Sequence, residues 1–577
     1  MEKQLTSRNY TIILILISSL GIRSIIAFYL YPGFDEAYYY LYSKNLDWSY
    51  FDHPVLVALT TGFGVWLTGI VNQFTIRIGT LLLHTVSLYL LYLISKKLFN
   101  YSTAVLTLII ASIVPIFQIA FGVLTLPDVP LIFFWTLTLL CLVTEFFPQS
   151  PLDETISSQA GSDITLKSTA KFVPAYTPTY RLAIVGVLMG LTCLGKYHGF
   201  ILGLGTIGFC FSVKKYRCAL SSRWFWLGIG LFWLTLFPLW FWNLQHDWVS
   251  FRFQLSQRFE PDPTQPLPPP KNYNPVDVLM VFLGTIGYLF PTIGFPLWWI
   301  SGKSVQNQFL ALKSKTNIEL DYKHKQLLIL WISLPLTIGF TLLGGITQIL
   351  PTWSMPGFWG LCLILGHYAQ LWQRFSRKWV KRWLSGSAFL IYPLIFIILI
   401  HLNTGLLQYP NQYPFFNGLV SPQQDPSTEL IDIRQLREGF ASSPTLTKAL
   451  VESSFIFTNV YYLGGYIAMA IAPLTEIPVT CFSHDQRGFA FWTFLEDLKG
   501  KDGLYVTIKR FAELETLNQQ YQTYFTHIDE IGQIPIIRSG EVTEIFYVYQ
   551  ARNLSPLGVK DLLSFSPINH YLNYEYS

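Results

Sequence analysis

Residues 33–54 read GFDEAYYYLYSKNLDWSYFDHP. The stretch follows a long apolar run, is aromatic at almost every second position, and carries Asp35, Glu36, Asp47, Asp52 and His53. A chain that sets carboxylates against its first membrane-length segment is either capping short helices at the bilayer surface or building a site there. The two readings place the same residues at the same depth and differ in what those residues touch.

Outward from this stretch the chain is oily. The run before it, residues 10–31, follows Lys3 and Arg8 and ends in YLYPGFDE. A secretory signal has a shorter apolar core and a small-residue cleavage site, so this run predicts an uncleaved span with a cytoplasmic N-terminus. Similar runs recur at 75–95, 102–122, 129–147, 181–195, 199–213, 223–243, 276–300, 326–345, 356–373 and 384–402, about eleven spans in all against the roughly 20 residues a crossing needs. Of the 577 residues, 51% are hydrophobic and 13% charged, where a soluble domain carries about 25% charge. That balance excludes an ordinary soluble protein and indicates a polytopic α-helical membrane protein. The six cysteines form no CxxC pair, which argues against a structural zinc or a disulfide framework.

Charge orients the spans. With the N-terminus inside, cytoplasmic loops hold Lys96 and Lys97, then Lys214, Lys215 and Arg217, then Lys303, Lys313, Lys315, Lys323 and Lys325, then Arg374, Arg377, Lys378, Lys381 and Arg382. The opposite loops hold Lys44, Lys196, Arg252, Arg258 and Lys271. This is the bias of the positive-inside rule, and an odd number of spans puts everything after about residue 403 outside the cytoplasm. Residues 148–180 read as a polar cytoplasmic insert, and PLPPP at 266–270 as a stiff spacer. Beyond the last span FIFTN, IPVTCF, GLYVTI and EIFYVYQ read as strands, with YLGGYIAMAIA and RFAELETLNQQY as helices. The expected layout is a transmembrane domain over 1–402, with amphipathic helices in a first external loop at 32–74, and a small extracytoplasmic α/β domain over 403–577.

Three acidic clusters fall on the outer side: Asp35-Glu36, Asp52-His53, and Asp128 in TLPDVP. Asp35 could cap a helix beginning at Glu36, Asp52 one beginning at Pro54, and Asp128 suits the dipole at the mouth of a span. Carboxylates that converge near a bilayer instead mark sites, and short aromatic helices lie at headgroup depth. Lys196, in GLTCLGKYHGFILGLG, either snorkels from a span end or holds an anionic group such as a lipid phosphate; Tyr197 and His198 share its turn. In the loop WNLQHDWVSFRFQLSQRFE, His246, Arg252 and Arg258 belong to an interfacial helix or contact phosphate or sugar. Cys481, His484 and Asp485 are too loosely spaced for a metal site, and there is no P-loop, Rossmann fingerprint or nucleophile triad motif.

The stretch DEAYYYLYSKNLDWSYFDHPVLVALTT resembles the first external loop of bacterial membrane glycosyltransferases of family 39. These are relatives of the dolichyl-phosphate-mannose–protein mannosyltransferases and, more distantly, of the lipid A aminoarabinose transferase. LTLPDVPLIFFW, GLTCLGKYHGFILGLG, PLWFWNLQHDWVSFRFQ and VTCFSHDQRGFAFW resemble the same group in order. The resemblance implies the GT-C fold and transfer of a sugar from a polyprenyl-phosphate donor outside the cytoplasm, with inversion at the anomeric carbon. It implies that Asp35 matches the catalytic aspartate, Asp128 a second acidic position, and Lys196 a lysine near the lipid phosphate. Asp52-His53 matches an acidic-then-basic pair before a proline; the aminoarabinose transferases have glutamate and lysine there, and histidine is a weaker, pH-dependent cation. It also implies a bacterial plasma membrane.

Such a transfer needs a base for the acceptor hydroxyl and positive charge for the departing phosphate. The candidates are Asp35 as base, and Lys196 with His53 or Arg252 at the phosphate. Glu36, Asp52, Asp128, Tyr197 and His246 are further substrate contacts, and Asp52 or Asp128 could hold a divalent metal ion. The acceptor class, whether protein, glycan or glycolipid, is open. A lipid-linked sugar transporter or flippase is the alternative, and predicts two matched halves with broken helices. A membrane-anchored binding protein would leave the acidic clusters unexplained.

Overall fold

The computed structural model describes residues 2–148, 176–255, 272–310, 317–412 and 418–564. Most of the insert at 148–180, the 266–270 spacer, Arg258, Lys271, Lys313 and Lys315 lie outside the described residues.

Each apolar run carries helix, but not every run is one straight span. The membrane half begins with α1 (Glu2–Tyr29), then the first-loop helices α2 (Phe34–Lys44) and α3 (Leu56–Thr68), then α4 (Ile78–Leu98). The next run is split, because Pro115 cannot donate a helical hydrogen bond: α5 (Tyr101–Ile113) stops and α6 (Pro115–Ile119) restarts. There follow α7 (Asp128–Phe146), α8 (Arg181–Gly195), α9 (Gly199–Ser212), α10 (Arg223–Thr235), α11 (Phe237–Gln245) and α12 (Val249–Leu255). The run at 276–300 becomes α13 (Pro275–Tyr288) and α14 (Pro291–Leu310), which meet at 120° about Phe290, a bulky residue at φ 67° before a proline. After α15 (Asn317–Leu343), α16 (Met355–Thr404) is continuous apart from a break at Ser376, so it covers the two last predicted runs. Among the described residues five helices are long and apolar enough to cross a membrane, or seven if each of two bent pairs is one span. The difference from about eleven arises because α5, α8 and α9 have only 13 to 15 residues and α16 joins the last two runs. The chain is a multi-pass membrane protein.

The bundle core lies among α4, α5, α7, α9, α15 and α16. Its buried Trp359 donates to Thr136 Oγ1 at 2.9 Å, satisfying an indole that lipid could not. Backbones touch where side chains are absent: a Cβ on Gly186 of α8 would stand 2.0 Å from the carbonyl oxygen of Gly228 on α10, the close approach that small residues permit between membrane helices.

The C-terminal half holds α17 (Ile433–Ser442), α18 (Pro444–Glu452), β1 (Phe455–Thr458), α19 (Tyr461–Ile471), β2 (Val479–Cys481), α20 (Phe489–Trp492), β3 (Gly503–Ile508), α21 (Glu515–Tyr524), β4 (Phe525–Arg538), β5 (Glu541–Leu554) and α22 (Pro556–Ser564). One five-stranded sheet runs β2-β1-β3-β5-β4, parallel among β2, β1 and β3 and antiparallel beyond. The four predicted strands are β1, β2, β3 and β5. The unpredicted β4 contains Gly532 and Pro535 and two register shifts, features an edge strand tolerates. Ser539 and Gly540, both at positive φ, close the β4–β5 hairpin.

This domain is not hung on a tether. One hydrophobic core joins Ala37, Tyr38, Tyr40 and Val57 of the first loop to Leu436, Leu463, Ile467 and Phe489 of the domain, across the boundary expected at 402/403. A Cβ on Gly465 of α19 would lie 2.4 Å from the carbonyl carbon of Ala37 and 2.5 Å from the nitrogen of Tyr38, so α19 crosses α2 in backbone contact. Arg437 ties the carbonyls of Met469 and Ala470 to that of Val71.

Candidate functional site

The site is built where α2, the turn before α7, the end of α8 and the sheet domain meet. Helix α2 begins at Phe34 with Gly33 as its N-cap, so Asp35 lies inside the first turn, half-buried, and does not cap. Asp52 caps nothing either, since the next helix starts at Leu56. Asp128 opens α7, and its carboxylate is spent on a lysine rather than on the helix end.

Glu36 is saturated. Its Oε1 accepts from Arg77 Nε at 2.8 Å and the Thr125 nitrogen at 2.9 Å; its Oε2 accepts from Arg77 Nη2 at 2.6 Å and the Gly33 nitrogen at 2.9 Å. Arg77 also donates to the carbonyls of Ala27, Leu30 and Tyr31, closing the end of α1. Both side chains are buried. Glu36 thus fixes α2, α1 and the 122–128 turn relative to one another. Next to that turn, Lys196 Nζ donates to both oxygens of Asp128 at 2.9 and 2.8 Å, again buried. Lys196 is the extended residue that ends α8, which aims its side chain across to α7.

Asp35 and Asp52 share a tyrosine. Tyr39 is buried, its ring lies edge-on to His53 at 5.6 Å, and burial followed by the charges of Asp35 and Asp52 holds its phenol well above the usual range. Asp52 accepts the hydroxyl of Tyr42, and its backbone carbonyl accepts from Gln254 of α12 at 2.6 Å. The same helix supplies Ser250, 2.7 Å from the Tyr197 hydroxyl. Arg252, two residues further along that helix, is half-buried. His246 packs flat on Trp242 at 4.1 Å, shares a hydrogen bond with its carbonyl at 2.7 Å, and meets Phe491 of α20. Asp247 and Trp248, at φ 50° and 59°, form the strained turn between α11 and α12.

The sheet domain adds two residues that the sequence did not reveal. Tyr461 opens α19 beneath the guanidinium of Arg487, 3.8 Å from its ring centroid. Burial raises its phenol, Arg487 opposes this, and Asp35, Asp485 and Asp52 add to the rise. Arg487 Nη1 stands 3.4 Å from Asp52 Oδ2, and Nε 3.3 Å from each oxygen of Asp485. Its neighbour Gly488 donates its nitrogen to Tyr38 Oη at 2.8 Å. Arg487 had no local signal: it sits in CFSHDQRGFAFW, where only the cysteine, histidine and aspartate draw the eye. Arg77 was hidden in an apolar run.

Asp35, Asp52 and His53 therefore gather about Tyr39, with Tyr197 acted on by Asp52, the Lys196–Asp128 pair beside Tyr197 in the chain, and His246 against α20. Among the described residues no group of three or more His, Cys, Asp or Glu side chains is arranged to hold a metal ion. The two metal candidates are engaged otherwise, Asp128 by a lysine and Asp52 by a phenol and a guanidinium.

Residues 52–149 match the sequence family described as dolichyl-phosphate-mannose-protein mannosyltransferase. No curated protein matches the chain. The crystal structure of ArnT from Cupriavidus metallidurans in the apo state superposes with a TM-score of 0.56 at 11% identity, over 93% of this chain and 97% of that one. ArnT from the same organism bound to undecaprenyl phosphate gives 0.54 at 11% identity over the same shares. The chain has the fold of ArnT, a GT-C membrane bundle with a small sheet domain at its C-terminal end.

Proposed function

We propose that the chain is a membrane glycosyltransferase that takes a sugar from a polyprenyl-phosphate donor and passes it, with inversion, to a hydroxyl of a protein, glycan or glycolipid. The reaction takes place on the extracytoplasmic face, the side the basic-loop bias assigns to the sheet domain. The observation that carries this reading is the meeting of Asp35, Asp52 and the Lys196–Asp128 pair at one end of a GT-C bundle, against a domain that shares its core with the first loop. ArnT crystallised with undecaprenyl phosphate and the mannosyltransferase family match support the donor class.

In this reading the acceptor oxygen attacks the anomeric carbon as the bond from that carbon to the phosphate oxygen breaks. The acceptor proton passes to the Asp35 carboxylate, and the electron pair leaves with a phosphate that needs no protonation at neutral pH. Lys196, already paired with Asp128, would face the phosphate as a fixed dipole rather than as a bare charge. His53, edge-on to Tyr39, stands in the same neighbourhood, and Arg252 of α12 is the further candidate for the phosphate. The sheet domain covers the site and takes part in choosing the acceptor.

The test is transfer of labelled sugar from polyprenyl-phosphate donors by the full chain in lipid nanodiscs. Asp35→Asn is expected to lose about 10²- to 10⁴-fold in rate, the usual worth of a positioned base. A folded variant with full activity would remove Asp35 as base. Donor binding without transfer to any acceptor in a broad panel would favour lipid transport.

A further inference from the structure

We infer that Arg487, carried by the sheet domain, grips the phosphate of the substrate lipid through its planar guanidinium, so that the domain supplies part of the site itself. This rests on the donor class proposed above.

A departing phosphate needs positive charge beside it, and the cations around the site are not equally available. Lys196 gives its charge to both oxygens of Asp128, and Arg77 gives Nε and Nη2 to Glu36 at 2.8 and 2.6 Å. Arg487 is held on other terms. Its contacts to Asp485 and Asp52 are 3.3 to 3.4 Å, longer than the about 2.7–2.9 Å of a strong charge-assisted hydrogen bond. Its Nη2 donates to none of the described residues. The Tyr461 ring holds the guanidinium by its face, so its N–H groups lie along the edge, where Nε and Nη1 make the long carboxylate contacts and Nη2 remains for an in-plane acceptor. The side chain is 24% exposed where that of Asp52 is 3%, so solvent reaches the edge of the arginine and not the carboxylate behind it.

The placement is also rigid. Arg487 has φ 46°, a left-handed backbone that a bulky residue adopts only when its surroundings dictate it. The surroundings do so: a Cβ on Gly488 would fall 2.6 Å from Trp492 and 2.9 Å from Tyr38 Oη, so the loop is locked onto α2. The site is rich in carboxylate, with Asp35, Asp52 and Asp485 all acting on Tyr461. An anion enters there only if a cation offsets them, and a fork that fits two phosphate oxygens does this better than a point charge.

The test uses the full chain in phosphatidylcholine nanodiscs with three probes: undecaprenyl phosphate, undecaprenol and inorganic phosphate. The wild type is expected to prefer undecaprenyl phosphate to undecaprenol. Arg487→Gln is expected to weaken undecaprenyl phosphate binding about tenfold to a hundredfold, with undecaprenol binding unchanged and thermal unfolding lowered less than by Arg77→Gln. Arg487→Lys keeps the charge without the fork, which covers the case in which the glutamine variant does not fold, and is expected to weaken binding about threefold to tenfold. Wild-type affinity for the lipid phosphate in either folded variant overturns the inference. Inorganic phosphate that binds as tightly as the lipid overturns the assignment to a lipid headgroup. A wild type that does not distinguish the lipid phosphate from the alcohol is a separate failure, because it sinks the donor class itself.

Discussion

Two arginines meet two carboxylates at the same end of this bundle, on opposite terms. Arg77 and Glu36 lie 2.6 to 2.8 Å apart, both buried, and their remaining capacity is filled by three carbonyls at the end of α1 and by two backbone nitrogens. Arg487 and Asp52 stand 3.4 Å apart, and the guanidinium leans on a ring and is partly open to solvent. A cation whose every donor is matched has nothing left for a ligand, and its geometry sets the positions of others. A cation held by long contacts over an aromatic face can turn to an anion at little cost. Both pairs bring one positive and one negative charge together, so it is saturation, not charge, that separates them.

Removing Arg77 should have the largest effect. Arg77→Gln leaves Glu36 buried without its cation and the end of α1 without its closing donors. Removing one partner of a buried pair costs about 3–5 kcal/mol, so chemical unfolding in detergent is expected to shift by that amount, while Arg487→Gln, whose contacts are longer and partly open to solvent, shifts it less. Equal midpoints for Arg77→Gln and wild type would show that the tight pair does not hold the fold.

A smaller effect is expected at the contact that brings Arg487 to the first loop. At Gly465 an added methyl would meet Ala37 and Tyr38 backbone at 2.4 to 2.6 Å, and backbone cannot yield as a flexible side chain can. Gly465→Ala should lift α19 from α2 at about 1–3 kcal/mol, the usual cost of overpacking. Binding of undecaprenyl phosphate should fall and the domain should be cleaved faster by protease, with the spans intact. Unchanged binding beside faster cleavage would mean that the domain only covers the site.

The same distinction explains what was legible in the sequence. Membrane-length runs, the loop bases and most strands follow from local pattern, so the class of fold could be read directly. The break at Pro115 has a local cause that the apolar pattern masks, while the break at Phe290 and the edge strand β4 depend on neighbours; pattern alone joined the first two and passed over the third. At the site, Asp35, Asp52, Asp128 and Lys196 stood out in the sequence because each is a charged residue beside an apolar run. Their pairings did not. Glu36 stood beside Asp35 as a candidate contact, yet it is committed to an arginine 41 positions on. Arg487 lies 435 positions from the aspartate it approaches; only the folded domain brings them together.

The smallest expected effect concerns a third pair, which by the saturation rule should be purely structural. Asp425, at the base of the sheet domain, accepts from Arg538 Nη2 at 2.5 Å and from the Ser427 nitrogen at 2.9 Å, and lies 2.8 Å from His401 Nε2. Burial pushes its carboxyl up, but the hydrogen bonds from Ser427 and His401 and the charge of Arg538 outweigh it and hold it below the usual carboxylate range. A carboxyl depressed in the native state contributes stability that is present above its unfolded value of about 3.9 and is lost as pH falls through the native value. The wild-type unfolding temperature should therefore exceed that of Asp425→Asn near neutral pH, and the two curves should converge as pH drops below about 4. Binding of the lipid phosphate by the folded variant should not change. An acid limb that runs parallel in the two proteins, or an altered affinity, would take Asp425 out of the structural class and blunt the distinction drawn between Arg77 and Arg487.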